Sequence, residues 1–175
     1  MDPAPQATEA RAGRLVIRPA GVADAEALWA LVREFAAYEK LEHLVSGSAE
    51  RLAAKLFGNA WPRVECVVAA VDGRLVGYAL FYGAYSTFWT QPLMCLEDIF
   101  VAESHRGRGV GRVLMSAVAR VAVERGCPRL DWAVLDWNAR SIEFYERLGA
   151  KRHDGWHAYR LDGEELKKLA EDRRD

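Results

Sequence analysis

The spacing of apolar residues predicts an amphipathic helix near the start of the chain. After Asp24, which suits a helix N-cap, apolar side chains recur at Leu28, Leu31, Val32 and Phe35. These are the i, i+3, i+4 and i+7 positions of a single helix face. We therefore expect this helix to pack against the core through that face.

Continuous apolar runs rich in β-branched residues predict strands in the next part of the chain. The runs 64–71 and 75–82 are separated by Asp72-Gly73, a pair that accepts the positive φ angles of a two-residue hairpin turn. An aromatic loop is predicted over 85–92, and a third strand over 93–101 follows it. The first two runs therefore predict a β-hairpin.

The complete order of predicted elements indicates an α/β fold. Such an order in one domain predicts a mixed sheet flanked by helices on both faces, with a parallel strand-helix-strand unit over 93–135. The remaining predicted elements are a strand over 15–18, helices over 48–57 and 110–125, a strand over 129–135, a helix from 138 or 139 to 148, a strand over 156–161 and a helix over 164–172.

Length and composition favour one globular domain that lacks the excess positive charge of a protein that binds nucleic acid or anionic membranes. The chain has 175 residues, of which 51% are hydrophobic, and a formal net charge of -1. This balance disfavours nucleic acid and anionic membranes as partners. Residues 1–13, rich in Ala and Pro and without apolar periodicity, are predicted to be a disordered tail before a domain over 14–175. No apolar run approaches the roughly 18 residues of a membrane span, and no secretory pattern is present, so we expect a cytoplasmic protein.

The cysteines and histidines predict neither a disulfide framework nor a metal site. Cys66, Cys95 and Cys127 are odd in number and widely spaced, which fits free thiols in a reducing compartment. The four histidines show no ligand spacing. Cys95 has no histidine near it in sequence, so a strand cysteine is favoured over an acyl-accepting nucleophile.

A glycine-rich turn predicts an anion site between the third strand and the following helix. Its sequence is Arg106-Gly107-Arg108-Gly109-Val110-Gly111-Arg112. The first backbone N–H groups of a helix have no intrahelical partner, and the helix dipole adds positive charge there. Glycines let a diphosphate approach those donors, and the arginines add charge. An ordinary helix-entry loop is the alternative, but three alternating glycines destabilise a loop that has no need of them.

Two motifs resemble the signatures of the GNAT superfamily of acetyl-coenzyme A dependent N-acetyltransferases. The first is Arg106-x-x-Gly109-x-Gly111, and the second is Asn138-x-x-Ser141-x-x-Phe144-Tyr145-x-x-x-Gly149. The resemblance implies a GNAT fold and acetyl-CoA as co-substrate. It implies cofactor contacts from a strand end, the glycine-rich turn and the second motif, namely Ile99, Phe100, Val101, Arg106, Gly107, Arg108, Gly109, Val110, Gly111, Arg112, Asn138 and Ser141.

Within that superfamily the chain is similar to the diamine acetyltransferases of the spermidine/spermine and thialysine type. The similarity lies in Phe35-Ala36-Ala37-Tyr38-Glu39, in Leu96-Glu97-Asp98-Ile99-Phe100-Val101 and in Trp137-Asn138. It implies a small-molecule amine acceptor and a homodimer. The chain departs from the group at Ala139-Arg140 and in having the shorter acid Asp154, and both departures bear on which amine is acetylated.

The resemblance also suggests how the reaction proceeds. Glu97 is predicted to remove the ammonium proton, directly or through a water molecule, and Tyr145 to protonate the departing thiolate. Tyr38, Glu39 and Asp154, with Glu97, are predicted to bind the acceptor. Asp98 shares the strand segment of Glu97, so strand alternation decides which of the two faces the cleft. The backbone N–H that stabilises the oxyanion is expected at a bulge near residues 99–101.

Several alternatives remain open at this point. Tyr145 could be a core aromatic residue, and Glu97 a salt-bridge or cap partner. The domain could sense acetyl-CoA without catalysis, or acetylate protein lysines or N-termini. Binding of nucleic acid through residues 106–112 is disfavoured because one basic loop lacks a distributed phosphate footprint.

Overall fold

A mixed β-sheet organises the first of two compact units in the computed structural model, which describes residues 13–59 and 61–172. The boundary between the units falls between Ala133 and Val134. Within the described residues the sheet has five strands in the order β1-β2-β3-β4-β5. They are β1 (Leu15–Pro19), β2 (Glu65–Val71), β3 (Arg74–Ser86), β4 (Gln91–Val101) and β5 (Leu130–Asp131).

Strand direction in the sheet matches the prediction from sequence. The first four strands pair antiparallel with their neighbours, and β4 pairs parallel with β5. The turn between β2 and β3 is formed by Asp72 and Gly73, both with positive φ, as the hairpin prediction requires. The mixed sheet of the α/β fold is therefore confirmed.

Helices cover the two faces of this sheet. Tyr78 on β3 clusters with Leu28 and Leu31 of α1 (Ala25–Glu39), whereas a Cβ added to its neighbour Gly77 would meet Leu114 of α3 (Val110–Glu124). Since successive residues of a strand point to opposite faces, α1 and α3 lie on opposite sides of the sheet. The helices are α1 (Ala25–Glu39), α2 (Ala49–Phe57), α3 (Val110–Glu124), α4 (Ala139–Arg147) and α5 (Gly163–Glu171), the last two in the second unit.

Asp24 anchors the start of α1, although it does not cap α1 in the expected way. Its carboxylate makes no hydrogen bond to the α1 backbone. Instead it accepts two hydrogen bonds from Arg18, of 2.6 and 2.8 Å, and one of 2.7 Å from the Gly21 amide. These bonds hold the pKa of Asp24 below its ordinary value, chiefly through the Arg18 contact. The carboxylate thereby connects the end of β1 to the turn that leads into α1.

The aromatic loop predicted over 85–92 is mostly strand, which is a correction. β3 continues to Ser86 and β4 begins at Gln91, so only the four residues 87–90 remain as a turn. The two strands pair with each other up to Ser86 and Gln91. Aromatic residues such as Tyr85 belong equally well in strands, which is why composition alone did not separate the two possibilities.

Two strands predicted for the second half of the chain are also corrected: one is shorter than predicted, and the other does not form. The strand predicted over 129–135 is reduced to the two residues of β5. Residues 156–161 are irregular and exposed, and no described strand pairs with them. The tail predicted over 1–13 lies, except for Gly13, outside the described residues.

Gly77 is required by the close approach of β3 to β4 and α3. An added Cβ would lie 2.7 Å from the Phe100 carbonyl oxygen and 3.3 Å from a Leu114 methyl carbon. We expect Gly77→Ala to lower the free energy of unfolding by about 1–3 kcal/mol, since backbone cannot move aside easily. Urea unfolding followed by circular dichroism measures this change.

The matched control is Gly83→Ala on the same strand, where an added Cβ meets nothing within 4 Å. We expect its free energy of unfolding to stay within about 0.5 kcal/mol of that of the parent. Equal effects of the two substitutions would contradict the close-packing explanation.

Candidate active site

The glycine-rich turn forms an uncapped helix N-terminus. Gly107 and Gly109 have φ angles of 75° and 81°, a region that other residues adopt only with strain. Gly109 is the N-cap of α3, and as a glycine it has no side chain to accept a hydrogen bond from the first turn of that helix. Arg108 and Arg112 are exposed beside it. This arrangement of backbone donors and exposed cations suits a diphosphate.

The side chain of Arg106 has partners within the protein. Its Nε donates a 2.8 Å hydrogen bond to the Val101 carbonyl oxygen at the end of β4. Its guanidinium carbon lies 4.5 Å from the centroid of the Tyr38 ring and 5.2 Å from that of Phe100. These contacts direct the positive charge of Arg106 toward α1 and β4. A contact between Arg106 and a diphosphate stays a prediction.

The strand that leads into this turn is paired along only one edge for much of its length. β4 pairs with β3 from Gln91 to Val101, but with β5 only at Met94 and Cys95. Residues 96–101 therefore continue beyond the last pair with β5. An open strand edge can pair with the amide groups of an extended ligand.

A register shift singles out Glu97. Leu80 and Phe81 are consecutive on β3, but they pair with Asp98 and Leu96, so Glu97 is the extra residue of a bulge. Residues 99–101 pair regularly with β3, and the expectation of a bulge there is wrong. The Glu97 side chain is exposed. The candidate base therefore lies at an irregular point of β4, two residues beyond the last pair with β5.

Asp98 points to the α1 face of the sheet and differs in environment from Glu97. It lies on the face of its pairing partner Leu80, and its Oδ2 accepts a 3.4 Å hydrogen bond from the Tyr78 hydroxyl. Burial, together with the charges of Glu97 and Glu39, raises the pKa of Asp98 from its ordinary 3.8 to about 6. Both glutamates are therefore close enough to act on Asp98 electrostatically.

The end of α1 brings two further candidates to the same region. Glu39 is the last residue of α1, and burial raises the pKa of its carboxyl. The Tyr38 ring lies 6.5 Å from that of Phe100 on β4. In the first unit the structure thus brings together Tyr38, Glu39, Glu97 and Asp98 beside the start of the glycine-rich turn.

Two tyrosines near these carboxylates were not predicted as site residues. Tyr78 is fully buried, and burial raises its pKa together with the charge of Asp98. Tyr82 pairs across the strands with Cys95, and burial raises the pKa of the Tyr82 hydroxyl. Burial raises the pKa of the half-buried Cys95, which supports the prediction of an unreactive strand cysteine. Tyrosines in otherwise apolar strands are the sequence signal, because a buried hydroxyl needs a partner.

The second unit contains the remaining candidates. Asn138 is 4% exposed, and its Oδ1 accepts a 3.2 Å hydrogen bond from the Ser141 amide as the N-cap of α4. Tyr145 is half-buried on α4, with its ring centroid 5.3 Å from that of Phe144. Asp154 is exposed and pairs with Arg152 at 3.0 Å. The predicted helix start at Asn138 is confirmed, and the predicted site roles of these residues stay predictions.

Comparison with known proteins accounts for these features. Residues 28–150 match the acetyltransferase (GNAT) family. The chain belongs to the GNAT family. It is 40% identical over 167 residues to thialysine N-epsilon-acetyltransferase of Bos taurus, and the matched region covers 89% of this chain and 97% of that protein. It is 31% identical to spermidine/spermine N(1)-acetyltransferase-like protein 1 of Homo sapiens, over 88% of this chain and 23% of that protein.

A solved structure shares the fold of this chain. An integron cassette protein from the mobile metagenome of V. cholerae superimposes with a TM-score of 0.75 at 26% identity, covering 89% of this chain and 97% of its own. The predicted enzyme class, an acetyl-CoA-dependent amine N-acetyltransferase, is confirmed, and so is the predicted GNAT-like fold. GNAT enzymes use acetyl-CoA as co-substrate, in agreement with the cofactor prediction.

The described residues contain neither a metal-binding cluster nor a membrane-spanning helix. No group of three or more His, Cys, Asp or Glu side chains among them is arranged to hold a metal ion. None of the helices in that part of the acetyltransferase is both long and apolar enough to cross a membrane.

The environment of Asp98 predicts a pH-dependent stability. An unfolded chain releases this proton near its ordinary pKa of 3.8, whereas the folded protein holds it up to about pH 6. The contribution of Asp98 to stability is therefore present below about pH 4 and is lost as the pH rises through about 6. We expect Asp98→Asn to be more stable than the parent at pH 7.5, by on the order of 2 kcal/mol, and similar to it at pH 4.

Urea unfolding of the two proteins at several pH values measures this difference. The matched control is Asp136→Asn, at an exposed position, for which we expect a curve parallel to that of the parent. A destabilised Asp98→Asn protein at pH 7.5 would contradict the assignment of a costly buried charge.

Proposed function

We propose that this acetyltransferase acts on a primary amine of a small polyamine, diamine or lysine-like molecule. The observation that carries the proposal is the placement of Glu39, at the end of α1, near Glu97 and Asp98 of β4, where the Tyr38 ring packs on Phe100. Three carboxyl groups in one region, with Tyr38 beside them, form an environment that favours a cation. The similarity to thialysine and spermidine/spermine acetyltransferase sequences points to the same class of acceptor.

Acetyl-CoA binding is proposed at the uncapped start of α3 and the open edge of β4. The backbone donors of residues 107–112 and the exposed Arg108 and Arg112 would hold the diphosphate. The backbone of residues 99–101 would align the pantetheine arm as an added strand does. Asn138 and Ser141, which share the cap of α4, are retained as cofactor-binding residues on the strength of the sequence motif.

The chemistry requires a neutral amine. An alkyl ammonium has a pKa near 10.4, so at pH 7 only about one molecule in a few thousand is nucleophilic. We assign proton removal to Glu97, which is exposed at the bulge of β4 and can act directly or through water. The neutral amine then attacks the thioester carbonyl carbon, and the tetrahedral intermediate, whose nitrogen releases its surplus proton to water, collapses to the amide with loss of the CoA thiolate.

The leaving thiolate is best expelled with a proton. We assign that proton to the phenol of Tyr145, which lies on α4 in the motif whose resemblance predicts this role. Asp154 completes the predicted acceptor residues with its exposed carboxylate. We further propose that the protein is a homodimer, which light scattering of the purified protein tests. We also propose that it is cytoplasmic, since the free thiols of Cys66, Cys95 and Cys127 suit a reducing compartment.

An amine panel tests the substrate class. The assay follows CoA release from acetyl-CoA with spermidine, putrescine, thialysine, lysine and a lysine-containing peptide. We expect turnover with at least one small amine and little with the peptide. Turnover with the peptide alone would instead favour a protein lysine as acceptor, and tight acetyl-CoA binding without turnover of any amine would contradict the proposal.

Substitution of Glu97 and Tyr145 tests the assigned roles. We expect Glu97→Gln and Tyr145→Phe each to lower kcat with the best amine by about 100-fold or more, the scale of general acid–base catalysis. For Glu97→Gln, activity should recover partly as the pH rises, because more of the amine is then neutral. Steady-state kinetics between about pH 7 and 9.5 measures both effects.

Two exposed positions provide matched controls, Glu124→Gln on α3 and Tyr159→Phe in the second unit. We expect both control variants to keep the parent kcat. Unchanged turnover in both Glu97→Gln and Tyr145→Phe would contradict the assigned roles while leaving the enzyme class intact.

A further inference from the structure

Arg106 connects three parts of the first unit through one side chain. Its Nε binds the Val101 carbonyl oxygen at 2.8 Å, which fixes it to the end of β4. Its guanidinium lies 4.5 Å from the ring centroid of Tyr38, in the last turn of α1. Its own backbone immediately precedes Gly107, the first glycine of the turn at the start of α3.

The shape of the arginine side chain suits this position. A guanidinium is planar, so it can donate from one edge while its face stacks on an aromatic ring. Here Nε donates to the Val101 carbonyl oxygen, and the guanidinium carbon lies over the rings of Tyr38 and Phe100. A lysine ammonium can keep the charge, but it has no planar face with which to make both contacts together.

The residues on either side of this contact have different proposed partners. Tyr38 precedes Glu39, and both belong to the proposed acceptor region. Residues 107–112 belong to the proposed diphosphate site. A change in the backbone of the turn therefore shifts the Cα atom of Arg106. The guanidinium at the far end of the same side chain packs against the ring of Tyr38, so the shift is passed on to that ring.

We propose that Arg106 is a positioning residue that couples occupation of the diphosphate site to the geometry of the acceptor region. Binding of CoA would fix residues 107–112, hold the Arg106 guanidinium against Tyr38 and thereby order the end of α1 for the amine. The inference rests on the proposed function, which assigns the acceptor to Tyr38 and Glu39. By linkage, CoA and the amine each raise the affinity for the other by the same factor.

The decisive measurement is this coupling factor, defined as the ratio of amine dissociation constants without and with saturating CoA. Titration calorimetry of the parent, Arg106→Met, Tyr38→Leu and the double variant gives it directly, with the best amine of the panel as the titrant. We expect a factor of about five or more in the parent and close to one in all three variants. Arg106→Lys should resemble Arg106→Met, since its charge alone does not restore stacking.

The dissociation constant of CoA for the same four proteins separates coupling from direct contact. If Arg106 acts through Tyr38, the two single effects are not additive, and the double variant binds CoA about as well as Arg106→Met does. If Arg106 contacts the diphosphate itself, the effects add and the coupling factor survives in Tyr38→Leu. That second result would overturn the proposal.

Controls keep the outcome tied to this side chain. Arg120→Met removes an exposed arginine of α3 and should leave both the coupling factor and the CoA affinity unchanged. If Arg106→Met does not fold, Arg106→Lys and Tyr38→Leu carry the same comparison. A parent enzyme that acetylates an amine without any coupling would overturn this inference but not the proposed function. If no amine binds, the proposed function fails, and additivity in CoA affinity still decides how Arg106 acts.

Discussion

The one-sided pairing of β4 is the constraint on which the site depends. β4 pairs with β3 along its full length, and this ladder holds it in the core, whereas β5 contributes pairs only at Met94 and Cys95. The bulge at Glu97 follows directly after those pairs, and a bulge bends its strand and increases its twist. The strand therefore parts from β5 where the bulge begins. The same strand can thus be rigid on one edge and open to a ligand on the other.

This arrangement connects the core to the chemistry through neighbouring residues. Phe100 is buried against α1, Asp98 lies on the same face two residues earlier, and Glu97 projects from the bulge next to it. Anchoring of Phe100 by the hydrophobic core therefore fixes the positions of both carboxylates along β4. Catalytic groups supported by a packed strand are held more accurately than groups on a loop.

The sequence predicts those features that depend on local chemistry. The face of α1, the turn at Asp72 and Gly73 and the uncapped start of α3 all follow from the residues that form them. The short β5, the bulge at Glu97 and the irregular segment 156–161 depend instead on which strands find partners, a property that periodicity does not encode. The contact between Arg106 and Tyr38 was missed for the same reason, because the two residues are far apart in the sequence. An arginine next to glycines is instead read from the sequence as a phosphate-binding residue.

The cost of ionising Asp98 gives the acceptor region a physical rationale. Burial opposes the charged form and raises its pKa to about 6, so at neutral pH the folded protein carries a carboxylate that its surroundings disfavour. An ammonium group placed beside it would offset that cost, because a nearby opposite charge favours ionisation. If the proposed acceptor binds there, part of the electrostatic free energy lost on folding would be recovered on binding. A neutral amide at this position would stabilise the free protein but would offer a cationic acceptor no such gain.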